Sequence, residues 1–269
     1  MKNKHRSVAA APWQRLSSYA SRKLRMAGRF LDVVEYSFPA VLPQNAGVRI
    51  LFLSDLHWAG HTGLVEELRE QVCSLDPDWL IYGGDLCLYA CHLDSAFSVL
   101  DSLEAKRGKI AVYGNWDKRR RRWFPFRQLA GYYKDAGFKL LVNEGFEDDG
   151  LYFYGADDFK LGHPVFPRPP EGCFSCLISH NPDAPVLLAP NETLSRTKLF
   201  LCGHTHGGQV CLPYFGAIKT SSLFWKKFEY GRFRHSVCGA EMIVSSGLGT
   251  SVCPFRLFRR PELVLVNLV

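Results

Sequence analysis

From Val48 onward, apolar residues gather in short, nearly continuous runs that end in polar ones. Residues 48–54 (VRILFLS), 79–85 (WLIYGGD) and 109–115 (KIAVYGN) each have the length and character of a strand buried on both faces. Between them, residues 63–75 and 94–104 carry helical spacing. Strands alternating with helices predict an α/β fold whose sheet is covered on both faces. Five more strand-like runs follow, at 151–155, 174–179, 198–202, 241–245 and 262–268, with one helical stretch, 183–189, among them. The second half is therefore richer in strand. It predicts a second sheet packed on the first, in a four-layer α-β-β-α sandwich of two mixed sheets with flanking helices. The upstream pattern differs. Trp13, Leu16, Ala20, Leu24, Ala27, Leu31 and Val34 recur at steps of three and four, which predicts a helix over 13–34. Pro39 and Pro43 then break the chain into a basic arm, 1–44, and a main domain, 45–269.

Charge sharpens this division. The chain has 269 residues and a formal net charge of +7. Residues 1–30 hold eight Lys and Arg and no acid, leaving 25 cations against 26 acids elsewhere, a balance of −1. A basic amphipathic arm suits an anionic membrane surface or a nucleic acid, and a helix of this kind lies in a membrane interface. No apolar stretch approaches the ~20 residues of a membrane span, and no apolar core marks a signal peptide. Nine cysteines, an odd number with a single C-x-x-C at Cys173 and Cys176, suit free thiols in a reducing, cytoplasmic setting.

The candidate chemistry lies at strand ends, where α/β sheets place their sites. The first three runs end in Asp55-Leu56-His57, Gly84-Asp85 and Gly114-Asn115. The run at 174–179 ends at His180, and that at 198–202 ends in Gly203-His204-Thr205-His206. Carboxylate and amide oxygens mixed with imidazoles suit Mn²⁺, Fe or Zn²⁺ better than Ca²⁺. Seven ligands are too many for one ion with an open position and enough for two that share a ligand. Paired ions about 3.5–4 Å apart are the usual apparatus for displacement at phosphorus.

D-x-H, G-D, G-N, a later lone His and G-H-x-H, in this order from about Ile50 to the C-terminus, resemble the calcineurin-like metallophosphoesterase superfamily. The resemblance implies a first ion on Asp55, His57, Asp85 and His206. It implies a second on Asp85, Asn115, His180 and His204, with Asp85 bridging. It further implies divalent cofactors, Mn²⁺ foremost with Mg²⁺, Fe or Zn²⁺ admissible, and a hydroxide between them that attacks phosphorus. Asp85, Asn115 and His204 would act on the transferring phosphoryl group. The segments GHTHGGQV (203–210) and SSGLGTSVCPFRLFRRPELVLVNL (245–268) resemble a bacterial branch of membrane-associated lipid phosphoesterases. That branch includes the chlamydial-type UDP-2,3-diacylglucosamine pyrophosphatases of lipid A biosynthesis.

One position departs from the family. Where a His that protonates the leaving group usually follows the Gly-Asn, this chain has Trp116, then Asp117. Trp cannot deliver a proton to a leaving alkoxide. General acid catalysis contributes about 10²–10⁴-fold where it is needed. A phosphate leaving from a pyrophosphate barely needs it. The expected reaction is therefore hydrolysis of a lipid-linked pyrophosphate, UDP-2,3-diacylglucosamine, by a monomer peripheral on the cytoplasmic face of the inner membrane. Trp116 argues equally against a nucleic-acid diester. Other readings are a phosphodiesterase or phosphatase for another lipid or nucleotide, and a metal-binding scaffold without catalysis. The basic run 118–122 starts three residues after Asn115 and suits substrate phosphate or a lipid headgroup equally, so Arg119, Arg120 and Arg121 join Trp116 and Asp117 as expected substrate contacts. Residues 214–235 interleave aromatics with Lys and Arg, which suits an acyl groove, a bilayer, single-stranded nucleic acid stacked on the rings, or a packed loop.

Overall fold

In the central strands nearly every side chain is buried, so alternate residues feed two different cores. In β4 (Arg49–Leu53), Ile50 and Phe52 join one core while Leu51 and Leu53 join another. The computed structural model describes residues 8–16, 21–24, 30–60, 62–119 and 126–269. They form two seven-stranded mixed sheets and a two-stranded ribbon.

Chain order supplies β1 (Trp13–Arg15), β2 (Ser21–Leu24), β3 (Asp32–Phe38), β4, β5 (Trp79–Tyr82), β6 (Gly108–Ala111) and β7 (Phe138–Leu140). After these come β8 (Glu144–Asp148), β9 (Leu151–Gly155), β10 (Phe174–Ile178), β11 (Leu199–Cys202), β12 (Cys211–Leu212) and β13 (Gly216–Ala217). The last three are β14 (Gly231–His235), β15 (Glu241–Val244) and β16 (Glu262–Leu268). The first sheet runs β2-β3-β16-β4-β5-β6-β7, with β4 to β7 parallel. The second runs β1-β14-β15-β11-β10-β9-β8, with β9, β10, β11 and β15 parallel.

Three cores follow from the strand alternation. Between the sheets, Ile50, Phe52 and Val264 meet Phe153, Ile178 and Leu201. Outside the first sheet, Leu51, Tyr82 and Leu265 are covered by Leu68, Phe97 and Tyr133. Those three belong to the helices Thr62–Leu75, Leu93–Asp101 and Leu129–Asp135. Outside the second sheet, Leu177, Phe200 and Met242 pack under Trp13, Phe228 and the short helices Asp183–Leu188 and Asn191–Leu194. This is the four-layer sandwich of two mixed sheets that the sequence predicts. All nine cysteines are free, and Cys87 and Cys202 are buried thiols.

The helix expected over 13–34 does not form where the chain is described. Residues 13–15, 21–24 and 32–38 are strands instead. The apolar stripe explains why. Trp13 enters the outer core of the second sheet, Leu31 the helix-covered core and Val34 the core between the sheets. One helical face cannot reach three separate cores. Trp13 pairs with His235 in register and packs edge-on to its ring at 5.2 Å. The described residues of the segment 1–44 therefore contribute strands to both sheets. Among the described residues, no helix is long and apolar enough to cross a membrane.

Candidate metal centre

The parallel strands of both sheets end on one rim, and five of these ends carry the polar residues singled out in the sequence. Backbone bonds lock neighbouring ends together: Asp55 N donates to Gly84 O at 2.9 Å, and His57 N to Asp85 O at 3.1 Å. Gly203 N donates to His180 O at 3.0 Å. Asp55, His57, Asp85, His204 and His206 all adopt positive φ, between 41° and 70°. Non-glycine residues rarely do so, at a cost of order 1–3 kcal/mol each, and such outliers collect at functional sites. Two glycines make room for these carboxylates. A Cβ on Gly114 would run into Asp85, and one on Gly203 would run into Asp55.

Six of the seven predicted residues fall into two buried groups. Asp55, His57 and His206 each offer one ligand atom within 4.8 Å of the others, and so do Asp85, His180 and His204. In the first group, His57 Nε2 faces His206 Nε2 at 3.1 Å, and Asp55 Oδ1 lies 3.5 Å from His206 Nε2. In the second, His204 Nδ1 faces His180 Nε2 at 3.2 Å. Asp85 joins the groups, since its Oδ2 lies 3.3 Å from His180 Nε2 and 3.5 Å from His57 Nε2. Asn115 is the seventh residue. Its side-chain oxygen is buried with no hydrogen-bond partner among the described residues, an orphan acceptor that a cation would satisfy. Facing imidazole nitrogens, flanking carboxylates and an orphan amide oxygen fit two divalent cations.

Outer contacts orient these groups, as second-layer partners do at metal centres. Ser54 Oγ donates to Asp55 Oδ2 at 2.6 Å, and His180 Nδ1 lies 2.8 Å from Gly83 O. The latter bond holds a His180 proton on Nδ1, so Nε2 is the ring nitrogen turned toward Asp85 and a cation. Burial pulls His204 and His206 well below the ordinary histidine range, so both are neutral and ready to coordinate. Burial also lowers His57. His180 goes the other way: burial opposes its protonation, but Asp85 outweighs that and pushes it up to about 10. Burial alone would raise Asp85, yet His180 holds it well below the usual carboxylate range.

The expected substrate contacts divide three ways. Trp116 stands at the centre, its ring edge-on to His57 at 5.4 Å and its backbone N donating to Asp85 Oδ1 at 2.7 Å. The Arg119 guanidinium stacks on the Trp116 ring at 3.9 Å. Arg120 and Arg121 lie outside the described residues. Asp117 requires correction. It is fully buried, and its two oxygens accept the backbone N–H groups of Asp85, Leu86 and Gly114 at 2.8–2.9 Å. It braces the ends of β5 and β6 and is closed off from substrate by its burial. Burial, then the charge of Asp85, push it up to about 7, and those three bonds hold it back. Asp117→Ala would orphan three buried amides at about 1–3 kcal/mol each. The variant is expected to lose at least about 3 kcal/mol of stability, read from its urea midpoint; an unchanged midpoint would refute the brace.

Three residues near the rim escaped the sequence reading. Arg256 is half-buried behind His206, donating to the carbonyls of Ser246 and Gly247 at 2.8 and 3.2 Å, with His206 Nδ1 3.4 Å away. Gln209 Nε2 clasps the carbonyls of Cys253 and Phe255. Desolvation draws the Lys160 ammonium below the ordinary lysine range, against the opposing charges of Asp183, Asp158 and Asp85. Arg256 and Gln209 lie inside the two segments that carry the branch resemblance, so their bonds are what join those segments in space.

Two mixed sheets that present paired Asp/His groups on a shared rim define a metal-dependent hydrolase. Residues 48–208 match the calcineurin-like phosphoesterase family, and the chain belongs to it. It is 30% identical over 254 residues to the phosphodiesterase YaeI of Escherichia coli, covering 89% of each chain. It is 29% identical over 239 residues to the metallophosphoesterase YkuE of Bacillus subtilis, covering 82% of this chain and 79% of the relative. A solved archaeal phosphodiesterase aligns with TM-score 0.41 and 18% identity, over 74% of this chain and 84% of that one. The protein is a hydrolase of phosphoesters.

Proposed function

We propose that this protein hydrolyses a lipid-linked pyrophosphate, UDP-2,3-diacylglucosamine, to UMP and 2,3-diacylglucosamine 1-phosphate on the inner face of a bacterial membrane. The observation that carries the reading is Trp116. It occupies the place beside His57 where a proton donor would serve an alkoxide leaving group. A phosphate leaving from a pyrophosphate needs little such help.

Asp55, His57, Asp85 and His206 would hold one ion, and Asp85, Asn115, His180 and His204 the other, with Mn²⁺ the first candidate. Bound divalent ions supply charge neutralisation at phosphorus and an activated water. The chain's own groups do the rest. The Asn115 amide and the His204 imidazole would steady charge on the transferring phosphoryl group. Arg119, held flat on Trp116, presents its guanidinium to phosphate oxygens near the rim. The basic segment 1–30 supports a hold on anionic lipid. Similarity to a protein named a phosphodiesterase favours, as a second reading, a diester of another lipid or nucleotide.

Product analysis separates the two. Purified protein loaded with Mn²⁺ is expected to release UMP from UDP-2,3-diacylglucosamine, while the Asp85→Asn variant releases none. If protein carrying two metals per chain hydrolyses bis(p-nitrophenyl) phosphate but releases no UMP, the pyrophosphate assignment falls and the diester reading replaces it.

A further inference from the structure

Two loops flank the His206–Gly208 turn. One is the β12–β13 ribbon with the run to Phe228, and the other spans residues 249–261. They form a single surface. Val210 and Leu257 make a β-bridge, and Cys211 N donates to Leu257 O at 2.9 Å. Leu257 N donates in turn to Gln209 O at 3.1 Å.

This surface concentrates exposed apolar residues. Among the described residues, nineteen large hydrophobic side chains are exposed, and ten sit here, six within 212–225 and four within 252–258. Tyr214, Phe215, Trp225, Val252, Phe255 and Phe258 stand out, with Tyr214 fully exposed and Val252 86% exposed. A gathering of this kind marks an interaction site.

Its charge selects the partner. Residues 209–228 and 249–261 contain no Asp or Glu. Arg256 is spent on carbonyls, Arg259 on Gly207 O, and Arg260 on Asp32. Lys219 stays exposed, and the half-buried Lys226 donates to Phe215 O at 2.7 Å with its ammonium 3.2 Å from the centre of the Phe215 ring. Aromatic rings beside lysines, without acids, are the chemistry of an anionic bilayer interface. A cavity of about 180 Å³ is lined by Pro254 and Phe255 of this surface together with Trp58, Leu248 and His57. It therefore joins the apolar surface to one residue of the candidate metal centre, His57.

We infer that these paired loops dock the catalytic rim on an anionic lipid bilayer, with the cavity taking the first apolar part of a substrate drawn from it. The inference deepens the lipid reading above and rests on it. It adds a contact independent of the N-terminal basic segment.

The test is co-sedimentation of the full chain with 3:1 phosphatidylcholine–phosphatidylglycerol vesicles and with phosphatidylcholine alone. Wild type is expected to bind the anionic vesicles. Phe215→Ser with Phe258→Ser, and Lys219→Glu with Lys226→Glu, are each expected to weaken binding about tenfold or more. Both should keep hydrolysis of bis(p-nitrophenyl) phosphate, which shows that the fold and metal centre survive. Should the Phe pair lose that hydrolysis, Tyr214→Ser with Val252→Ser takes its place. Wild-type binding by the loop variants overturns the inference, as does its loss only when Lys2, Lys4 and Arg6 are changed to Gln. So does a vesicle-free dimer that the loop variants dissolve, because the occupant would then be a second copy. Vesicle binding that persists without UMP release leaves the docking in place and removes only the pyrophosphate substrate.

Discussion

Asp85→Asn is expected to lower phosphoester hydrolysis by about 10³-fold or more and to reduce bound metal from two ions per chain to at most one. The geometry sets this expectation. One oxygen of Asp85 lies 3.3 Å from His180 and 3.5 Å from His57, so it is the link between the two ligand groups. Asparagine keeps the shape and can still accept the Trp116 N–H, which in wild type reaches Asp85 Oδ1 at 2.7 Å. It loses the negative charge that two cations would share. The substitution also frees His180, whose pKa Asp85 pushes up to about 10 against the opposing effect of burial. Below that pH the metal-free wild type carries a protonated His180, and an ion must displace the proton on its Nε2. Metal affinity should therefore rise with pH up to about 10, and this dependence should weaken in Asp85→Asn. The stability sign agrees. A raised histidine pKa stabilises the metal-free fold fully below the ordinary value of 6.5, and this contribution fades as pH approaches 10. Elemental analysis and turnover of the same preparation check the result. Two retained ions with an undiminished rate would remove Asp85 from its bridging place.

What could be read from the sequence was set by where each residue's partners lie. Strands such as β4 and β11 are apolar at nearly every position because each is covered on both faces, and that signal is local. The candidate ligands that the structure gathers on the rim stood out as well, since Asp55, Asp85, Asn115, His180 and His204 each follow an apolar run that closes in Ser or Gly. Trp13, Leu31 and Val34 misled because three- and four-residue steps describe a helix only if one surface receives the stripe, and here three cores do. Asp117 misled for a related reason. A carboxylate beside a metal loop reads as a ligand or a substrate contact, whereas its partners are backbone amides from positions 85, 86 and 114. Arg256 carries no local signal at all. Its role exists only once the 245–268 tail folds behind His206, 50 residues away in sequence.

Trp116→His is expected to raise hydrolysis of an alkyl phosphodiester, such as glycerophosphocholine, by about 10²-fold while changing UMP release less than about threefold. Position 116 is fixed by its backbone bond to Asp85 and by the edge of its ring on His57, 5.4 Å away. A histidine there would place an ionisable ring beside the same metal ligand. Its proton would be worth most to a leaving alkoxide and little to a leaving phosphate. The gain should carry a pH signature. With an ordinary pKa near 6.5, the introduced imidazolium loses its proton as pH rises, so the diester rate should fall on the alkaline side in a way absent from wild type. A p-nitrophenyl ester, which leaves without a proton, serves as the internal control and should not gain. Equal gains on all three substrates would mean that Trp116 obstructs entry rather than lacking a proton. A large gain in UMP release alone would mean that the natural leaving group needs an acid, and the pyrophosphate reading would have to be given up. The predicted split, with the diester alone accelerated, ties the substrate class to one side chain, because the cost of expelling an alkoxide is what Trp116 leaves unmet.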